Sequence, residues 1–489
     1  MNFRTITNII SGLFVIMGLT MLIPIGIAYF GGDHDLNGFL WSMGICFIIG
    51  IPLWLMTRKS RTLNNKDGFA IVTFTWVFAA VIGALPFYLT GMIPNVTDAF
   101  FESMSGVTTT GASIIGSGIT LPHLPNGIES LPHATLYWRS FIQWIGGMGI
   151  IVFYIAILPL LGVGGVQLFK AEVPGPVADK LRPRVRETAK ILWMVYVGIT
   201  LAEIALLGFG GMTWFDAICH SFTTMPTGGF STKNASIAAF NSPFLQYVII
   251  FFMFVAGVNF SLHFHALTGN VKSYFRDKEF LTYFGITAVV SVLIFSSLAA
   301  GHNTWTESHF RASLFQTVSI LTTTGFGSAD YELWSHFAQY MLLFLMFVGS
   351  MGGSTGGGMK VVRLLLLFKY TATETRRMLH LKAIIPIRIG DRFISEDIIK
   401  NTLGFFLFYM SIFAFTTLIL TTMNVDLESA IGASASALGN IGPGLGAFGP
   451  TDNYALLPAF GKWMLSFCML LGRLEIFTVM VIFSRTFWK

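Results

Sequence analysis

Charge is the scarcest thing in this chain. Asp, Glu, Lys and Arg make up 11% of its 489 residues, against about a quarter in a soluble globular domain. Cysteine is scarcer still. Cys46, Cys219 and Cys468 stand far apart with no CxxC, so neither a disulfide framework nor a zinc site is indicated. A signal-peptide cleavage site is missing too. The apolar run over 6–30 is longer than a signal core and lacks a small-residue cleavage motif, so it reads as a retained span. What the chain does have is apolar sequence: 54% of residues are hydrophobic and mean hydropathy is +0.69. Many runs reach the roughly 20 residues that cross a bilayer. The class is therefore an all-α polytopic membrane protein.

The net charge of +6 suggests nucleic acid only until the charges are placed. Arg58, Lys59, Arg61 and Lys66 share one connection, and Lys170, Lys180, Arg182, Arg184, Arg186 and Lys190 another. Lys272, Arg276 and Lys278 share a third, and Lys369, Arg376, Arg377, Lys382, Arg388, Arg392 and Lys400 a fourth. The alternate connections hold only Arg139, Lys233, Arg311 and Lys462. This asymmetry puts the four basic connections in the cytoplasm. Arg4, Arg485 and Lys489 put both termini there as well, which requires an even number of spans. Hydropathy supplies ten, over 6–30, 37–57, 68–92, 136–163, 188–211, 244–268, 280–300, 334–370, 400–423 and 454–484. The eighth is too long for one straight span, and Gly349 to Lys360 ("GSMGGSTGGGMK") should unwind it.

Four connections on the outer side share a design. Each starts with a short amphipathic run: "DAFFES" from Asp98, "DAICHS" from Asp216, "RASLFQT" from Arg311 and "ESAIGAS" from Glu428. A glycine follows the last Ser or Thr of these runs (Ser103, Ser221, Thr317, Ser434) by seven or eight residues, at Gly111, Gly228, Gly325 and Gly442. Such a period marks internal repetition. The unit is span, half-helix, Thr/Gly turn, span. It divides the chain into two N-terminal helices (1–66), pore repeats over 67–165, 186–270, 279–370 and 399–489, and a basic cytoplasmic segment over 371–398.

Non-helical backbone at membrane depth survives only where protein buries it or a water-filled cavity runs past it. Four such turns can converge on one axis. Each half-helix would bring the partial negative charge of its C-terminal carbonyls there. A ring of backbone oxygens can replace the hydration shell of a monovalent cation. Glycine lets successive carbonyls face inward, and threonine hydroxyls add oxygens. Carboxylate pairs, which calcium and magnesium prefer, are absent from the turns. The expected filter comprises Thr108, Thr109, Thr110 and Gly111; Met225, Pro226, Thr227 and Gly228; Thr322, Thr323, Thr324 and Gly325; and Asn440, Ile441 and Gly442. The bland reading of any single glycine is close helix packing. Four equivalent turns outweigh it.

These motifs, "TTTGA", "MPTGGFS", "LTTTGFG" and "LGNIGPG", resemble those of the Trk/Ktr/HKT superfamily of potassium and sodium transporters. With two extra N-terminal spans, the chain is most similar to the bacterial TrkH/TrkG branch over its whole length. The resemblance implies a potassium uptake protein of the bacterial inner membrane rather than an enzyme, with K+ in the pore and no covalently bound cofactor. Glycine at all four filter positions goes with potassium selectivity there, and Gly111 stands where serine goes with sodium preference. It further implies a homodimer with one pore per protomer and a cytoplasmic TrkA-type regulatory subunit that binds NAD or ATP. Membrane lipid surrounds the chain, and no nucleic acid partner is implied. The family also has an intramembrane loop below the filter. Gly349, Ser350, Gly352, Gly353, Ser354, Thr355, Gly356, Gly357 and Gly358 match it as the gate, which glycine's several backbone states suit. "GGSTGGG" lacks the GK[ST] ending of a phosphate-binding loop.

Arg473 falls inside the last span, where a buried arginine is a functional hypothesis by default. It either faces the pore as a fixed positive charge in the gate or pairs with Glu475 or with helix carbonyls between spans. Lys360 is a second gate cation or simply the first cytoplasmic residue. Asp98, Asp216 and Glu428 complement half-helix dipoles or attract cations. Glu102 is a further outer acid with the same choice. His220 is expected to pack and hydrogen-bond. His263 and His265 point to different helix faces, which gives a haem-containing redox protein little support. The stretch Lys369 to Lys382 is a plausible docking surface for an acidic or nucleotide-bearing partner. A proton- or sodium-coupled symporter is the alternative, and the proton form needs a titratable group in a pathway where the spans offer few.

Overall fold

The computed structural model describes residues 1–57, 65–116, 124–152, 181–302, 304–379, 385–390 and 392–488. Arg58, Lys59, Arg61, Lys170, Lys180, Lys382 and Lys489 lie outside the described residues, as does the end of the fourth expected span.

Two N-terminal spans come first: α1 (Phe3–Thr20) continuing into α2 (Leu22–Gly31), then α3 (Leu36–Thr57). Repeat 1 is α4 (Asn65–Leu89), pore helix α5 (Val96–Val107) and α6 (His133–Val152). Repeat 2 is α7 (Leu181–Phe209), pore helix α8 (Trp214–Thr224), α9 (Pro243–Ala256) and α10 (Phe260–Leu267). A short α11 (Lys272–Arg276) leads into repeat 3: α12 (Lys278–His302), pore helix α13 (Glu307–Leu321), α14 (His336–Val348) and α15 (Val361–Leu379). A two-stranded ribbon, β1 (Arg388–Ile389) and β2 (Arg392–Phe393), precedes repeat 4. That repeat is α16 (Glu396–Thr421), pore helix α17 (Leu427–Gly439), α18 (Ala459–Arg473) and α19 (Phe477–Met480), closed by α20 (Arg485–Trp488).

Among the described residues, six helices or helix pairs are long and apolar enough to cross a membrane unbroken. The remaining expected spans include two sharply bent pairs, 103° between α9 and α10 and 110° between α18 and the segment after it. Sequence reasoning places a break only in repeat 3. The structure corrects this: the second spans of repeats 2, 3 and 4 are all broken. The breaks are cheap because they satisfy one another. Met351 N and Thr355 N of the repeat 3 loop donate to Gly257 O and Ala256 O at the repeat 2 break, and Phe260 N donates back to Gly353 O. Non-helical backbone is tolerated here because protein groups replace the missing helical bonds.

The pore helices start on conventional caps. Asn95, Thr213, Thr306 and Asp426 each accept a backbone N–H of the first turn, a bond typically worth about 1 kcal/mol. Asp98, Asp216, Glu307 and Glu428 then lie in the positive first turns. Three of the four outer-side cations neutralise acids in or next to these helices: Lys462 Nζ lies 2.6 Å from Asp98, Arg311 pairs with Glu307, and Arg139 with Glu102.

Candidate functional site: a fourfold glycine ring

Each pore helix ends in one geometry. Thr109, Thr227, Thr323 and Asn440 adopt left-handed angles, φ of 53°, 57°, 59° and 56°. This conformation is strained for the three β-branched threonines and costs about 1–3 kcal/mol at each of them, whereas asparagine adopts it readily. The next N–H compensates by reaching back five residues: Thr110 N to Ser105 O, Gly228 N to Thr223 O, Thr324 N to Ser319 O and Ile441 N to Ser436 O. Two residues after the left-handed position comes a glycine with φ of 83°, 75°, 81° and 107°. These glycines are Gly111, Gly229, Gly325 and Gly442.

The register of repeat 2 therefore differs from the expected one by a residue. Gly229, not Gly228, is the fourfold mate of Gly111, Gly325 and Gly442, and Gly228 stands with Thr110, Thr324 and Ile441. Steric contacts agree. A Cβ on Gly111 would meet Gly228 O, one on Gly229 Thr324 O, one on Gly325 Ile441 O, and one on Gly442 Thr110 O, at 2.2, 2.0, 1.9 and 2.8 Å. Each glycine is thus pressed against the carbonyl that precedes the next repeat's glycine, and the ring closes only without side chains. The four ring glycines also line one cavity, together with Phe230 and Asp452. A trace of this was legible: Gly111, Gly325 and Gly442 follow Ser103, Thr317 and Ser434 by eight residues, Gly228 follows Ser221 by seven, and Gly229 restores eight.

Hydroxyls accompany the ring unevenly. Thr108 Oγ1 and Thr110 Oγ1 lie 2.8 Å apart, as do those of Thr322 and Thr324. In repeat 4 the Asn440 amide donates instead to Thr110 Oγ1 (3.0 Å) and Met469 O (2.8 Å).

Behind the ring stands a buried polar scaffold that sequence reasoning read differently. Glu102 is not an acid at an open mouth. It is fully buried and paired with Arg139, which also donates to Ser231 O and Ser113 Oγ, while Glu102 accepts Ile114 N. The Arg139 guanidinium lies 4.2 Å from the centre of the Phe230 ring. His220 is buried, with Nδ1 on Asp216 O and Nε2 on Ser231 Oγ. Repeats 3 and 4 use neutral groups: Ser319 Oγ donates to Phe326 O, Tyr331 OH to Gly444 O, and both Ser436 Oγ and Tyr454 OH to Gly442 O. His263 bonds Tyr274 OH and Val255 O, and His265 is exposed.

On the opposite side of the ring from the cavity lies the loop Gly349–Lys360. Gly349, Gly353 and Gly358 take φ of 72–74°, angles that glycine accepts without penalty. Thr355 Oγ1 donates to Met225 O (2.9 Å), and Gly357 N donates to Thr323 Oγ1 (2.7 Å), so the loop touches the ring repeats directly. Ser350 and Ser354 bond each other within the loop, and a Cβ on Gly356 would strike Ser350 Oγ. Arg473 Nη1 donates to Thr355 O (2.6 Å) and Nη2 to Gly146 O (3.3 Å). Glu475 pairs with Arg363. Lys360 is buried, not the first cytoplasmic residue, and its Nζ donates to Gly356 O. Glu279 accepts Gly352 N and Val362 N. Sequence reasoning passed over Glu279, Gln143 and the fully buried Glu203 beside Thr224. A lone polar residue inside an apolar run was the available signal.

Fold and ring together define a class: a polytopic membrane protein whose four pore-helix repeats surround a central pore. The comparisons then name the family. Residues 37–489 match the family model TrkH, described as a cation transport protein, and the chain belongs to that family. It is 42% identical to the Trk system potassium uptake protein TrkH of Escherichia coli K12, with all of both chains covered. It is 35% identical to the Trk system potassium uptake protein TrkG of the same organism, covering 99% of each. The crystal structure of the potassium transporter TrkH from Vibrio parahaemolyticus superposes with a TM-score of 0.90 at 38% identity, again covering both chains completely.

Proposed function

We propose that this chain takes up potassium through a gated, channel-like pore in a bacterial inner membrane, with both termini cytoplasmic. The observation that carries this reading is the ring: four turns set four glycines of positive φ against four backbone carbonyls. Such a ring suits a dehydrated monovalent cation, since carbonyl oxygens replace its water. Its oxygens come from residues 108–111, 226–229, 322–325 and 440–442. The Gly349–Gly358 loop, tied to Met225 and Thr323, is the gate, and Arg473 places a fixed positive charge on Thr355 O. Membrane potential drives entry at about 2.3 kcal/mol per charge per 100 mV. Like the relatives named for a Trk system, the chain works with partners. We assign it a second copy of itself and a cytoplasmic nucleotide-binding regulatory ring.

Reconstituted protein should pass K+ and Rb+ far better than Li+ or Na+, and Gly111→Ser should erode that preference. Unchanged selectivity in Gly111→Ser would sink the filter. Proton-coupled uptake is the second reading, favoured by one observation: the carboxyl of Glu203, buried within span α7 against the pore helix α8. Flux that follows an imposed pH gradient in wild-type protein, and ignores it in Glu203→Gln, would establish that reading in place of a passive channel.

A further inference from the structure

Gln143 is the one amide in the apolar run "SFIQWIGG" of α6, and it is fully buried. A buried amide holds its place only if both ends are satisfied. Its Nε2 donates to Gly228 O at 2.7 Å, and its Oε1 accepts Phe230 N at 3.2 Å. One acceptor and one donor on the same strand leave a single workable orientation of the amide. Four residues earlier on the same helix face, Arg139 holds Ser231 O. A span of repeat 1 thus grips the filter strand of repeat 2 at alternate points.

The other repeats lack this bond. The carbonyls equivalent to Gly228 O belong to Thr110, Thr324 and Ile441, and among the described residues none of them accepts a side-chain hydrogen bond. The braces of repeats 3 and 4 fall one or more residues further along, on Phe326 O and Gly442 O.

We propose that Gln143 is a specificity-determining residue of the pore, which holds the Gly228 carbonyl back and weakens its field on the permeating ion. This rests on the filter reading above. A carbonyl oxygen has two lone pairs, so the amide takes one and leaves the other for the ion. A donor on that oxygen lowers the negative field the ion sees, and it stops the oxygen moving inward. Field strength and position of coordinating carbonyls are the two variables that separate K+ from the smaller Na+. A weaker, more distant oxygen repays the dehydration of Na+ less fully than that of K+. Gln143 is a positioning residue in this role, since it acts on the ion through Gly228.

The test uses the full chain in proteoliposomes, with Rb+ standing for K+, and Rb+ and Na+ uptake measured on the same vesicles. Gln143→Leu removes both bonds. Gln143→Glu keeps the side-chain volume and the acceptor for Phe230 N, and, assayed at alkaline pH so that the carboxyl is ionised and carries no O–H, loses the amide donor. Both variants should lower the Rb+/Na+ uptake ratio about fivefold, the scale of one buried hydrogen bond. A ratio unchanged in both, with the two rates falling together, overturns the proposal and leaves Gln143 a packing residue. A Gln143→Glu protein that passes neither ion also counts against it, because a selectivity role leaves permeation intact. Gly111→Ser vesicles run beside them. If that ratio stays at the wild-type value the filter reading fails, and if it shifts while the Gln143 variants do not, this inference alone fails.

Discussion

The ring and the loop beneath it are both glycine-rich, both non-helical and both buried among spans, yet they are held in opposite ways. The ring stands on strained residues. Four non-glycine positions adopt left-handed angles, and side chains from spans and connections brace the backbone that follows them: Arg139, Gln143, Tyr331 and Tyr454 among others. The loop spends its positive angles mostly on glycine, which is indifferent to them. Its tethers run to backbone as well as side chains: Met351 N and Thr355 N donate to the repeat 2 break, Thr355 Oγ1 to Met225 O and Gly352 N to Glu279, while Thr355 O accepts Arg473. Strain that many contacts support makes a fixed geometry. Unstrained glycine backbone leaves a segment with several states close in energy. The selector and the gate proposed above thus rest on the same residue type in two surroundings.

Breaking the ring's support should have the largest effect. Arg139→Leu leaves Glu102 buried without its ion pair, a loss of about 3–5 kcal/mol. Thermal unfolding in detergent should shift down by several degrees, and uptake should vanish. The register of repeat 2 offers a sharper contrast. Gly229→Ala puts a Cβ 2.0 Å from a backbone oxygen at φ 75°, whereas the nearest atoms to a Cβ on Gly228 belong to a side chain, Gln143, and φ there is not positive. Rb+ uptake should fall by about fivefold to 150-fold for Gly229→Ala, as strain of about 1–3 kcal/mol requires, and far less for Gly228→Ala. Equal losses would return Gly228 to the ring. The loop should respond by leaking, not by losing selectivity. Thr355→Val removes the bonds to Met225 O and Ala256 O, and resting Rb+ leak should rise about fivefold with the Rb+/Na+ ratio unchanged.

The smallest effect concerns the mouth. Burial, with Asp452, Asp330 and Glu428 nearby, pushes the Glu332 carboxyl up to about 7. Burial and Asp330 raise Asp452 too. Because the Glu332 value is raised, its charge is present above about pH 7 and lost as external pH falls through that value. Uptake at low K+ should then drop by roughly twofold or less between external pH of about 8 and 6, since only local cation concentration changes. Glu332→Gln should flatten that profile. A step that survives the substitution belongs to another group.

Much of this was legible beforehand. Ten apolar runs, the charge asymmetry and the fourfold spacing lead to the repeat architecture, because hydrocarbon demands long apolar helices and tolerates irregular backbone only in company. The site was legible to within a residue. "MPTGG" offers two adjacent glycines; the Thr-Gly pairing favours the first and the eight-residue spacing the second, and the backbone angles select the second. Glu102 and Arg139 are 37 residues apart, so nothing local announces that one neutralises the other. The breaks in repeats 2 and 4 were hidden for a related reason. "VAGVNFS" and "LLGRLEIF" carry far fewer glycines than the repeat 3 loop, and their helices part because other segments take up the freed backbone groups.

The sequence by itself determined the class of this protein, the number of its repeats and the residue types at each turn, since periodicity and residue conformational preference act locally. Which glycine closes the ring, which carboxylate meets which guanidinium, and which carbonyl Gln143 holds were decided only by the tertiary structure. Those choices depend on groups far apart in the chain arriving within about 3 Å of one another, a distance that no spacing along the chain encodes.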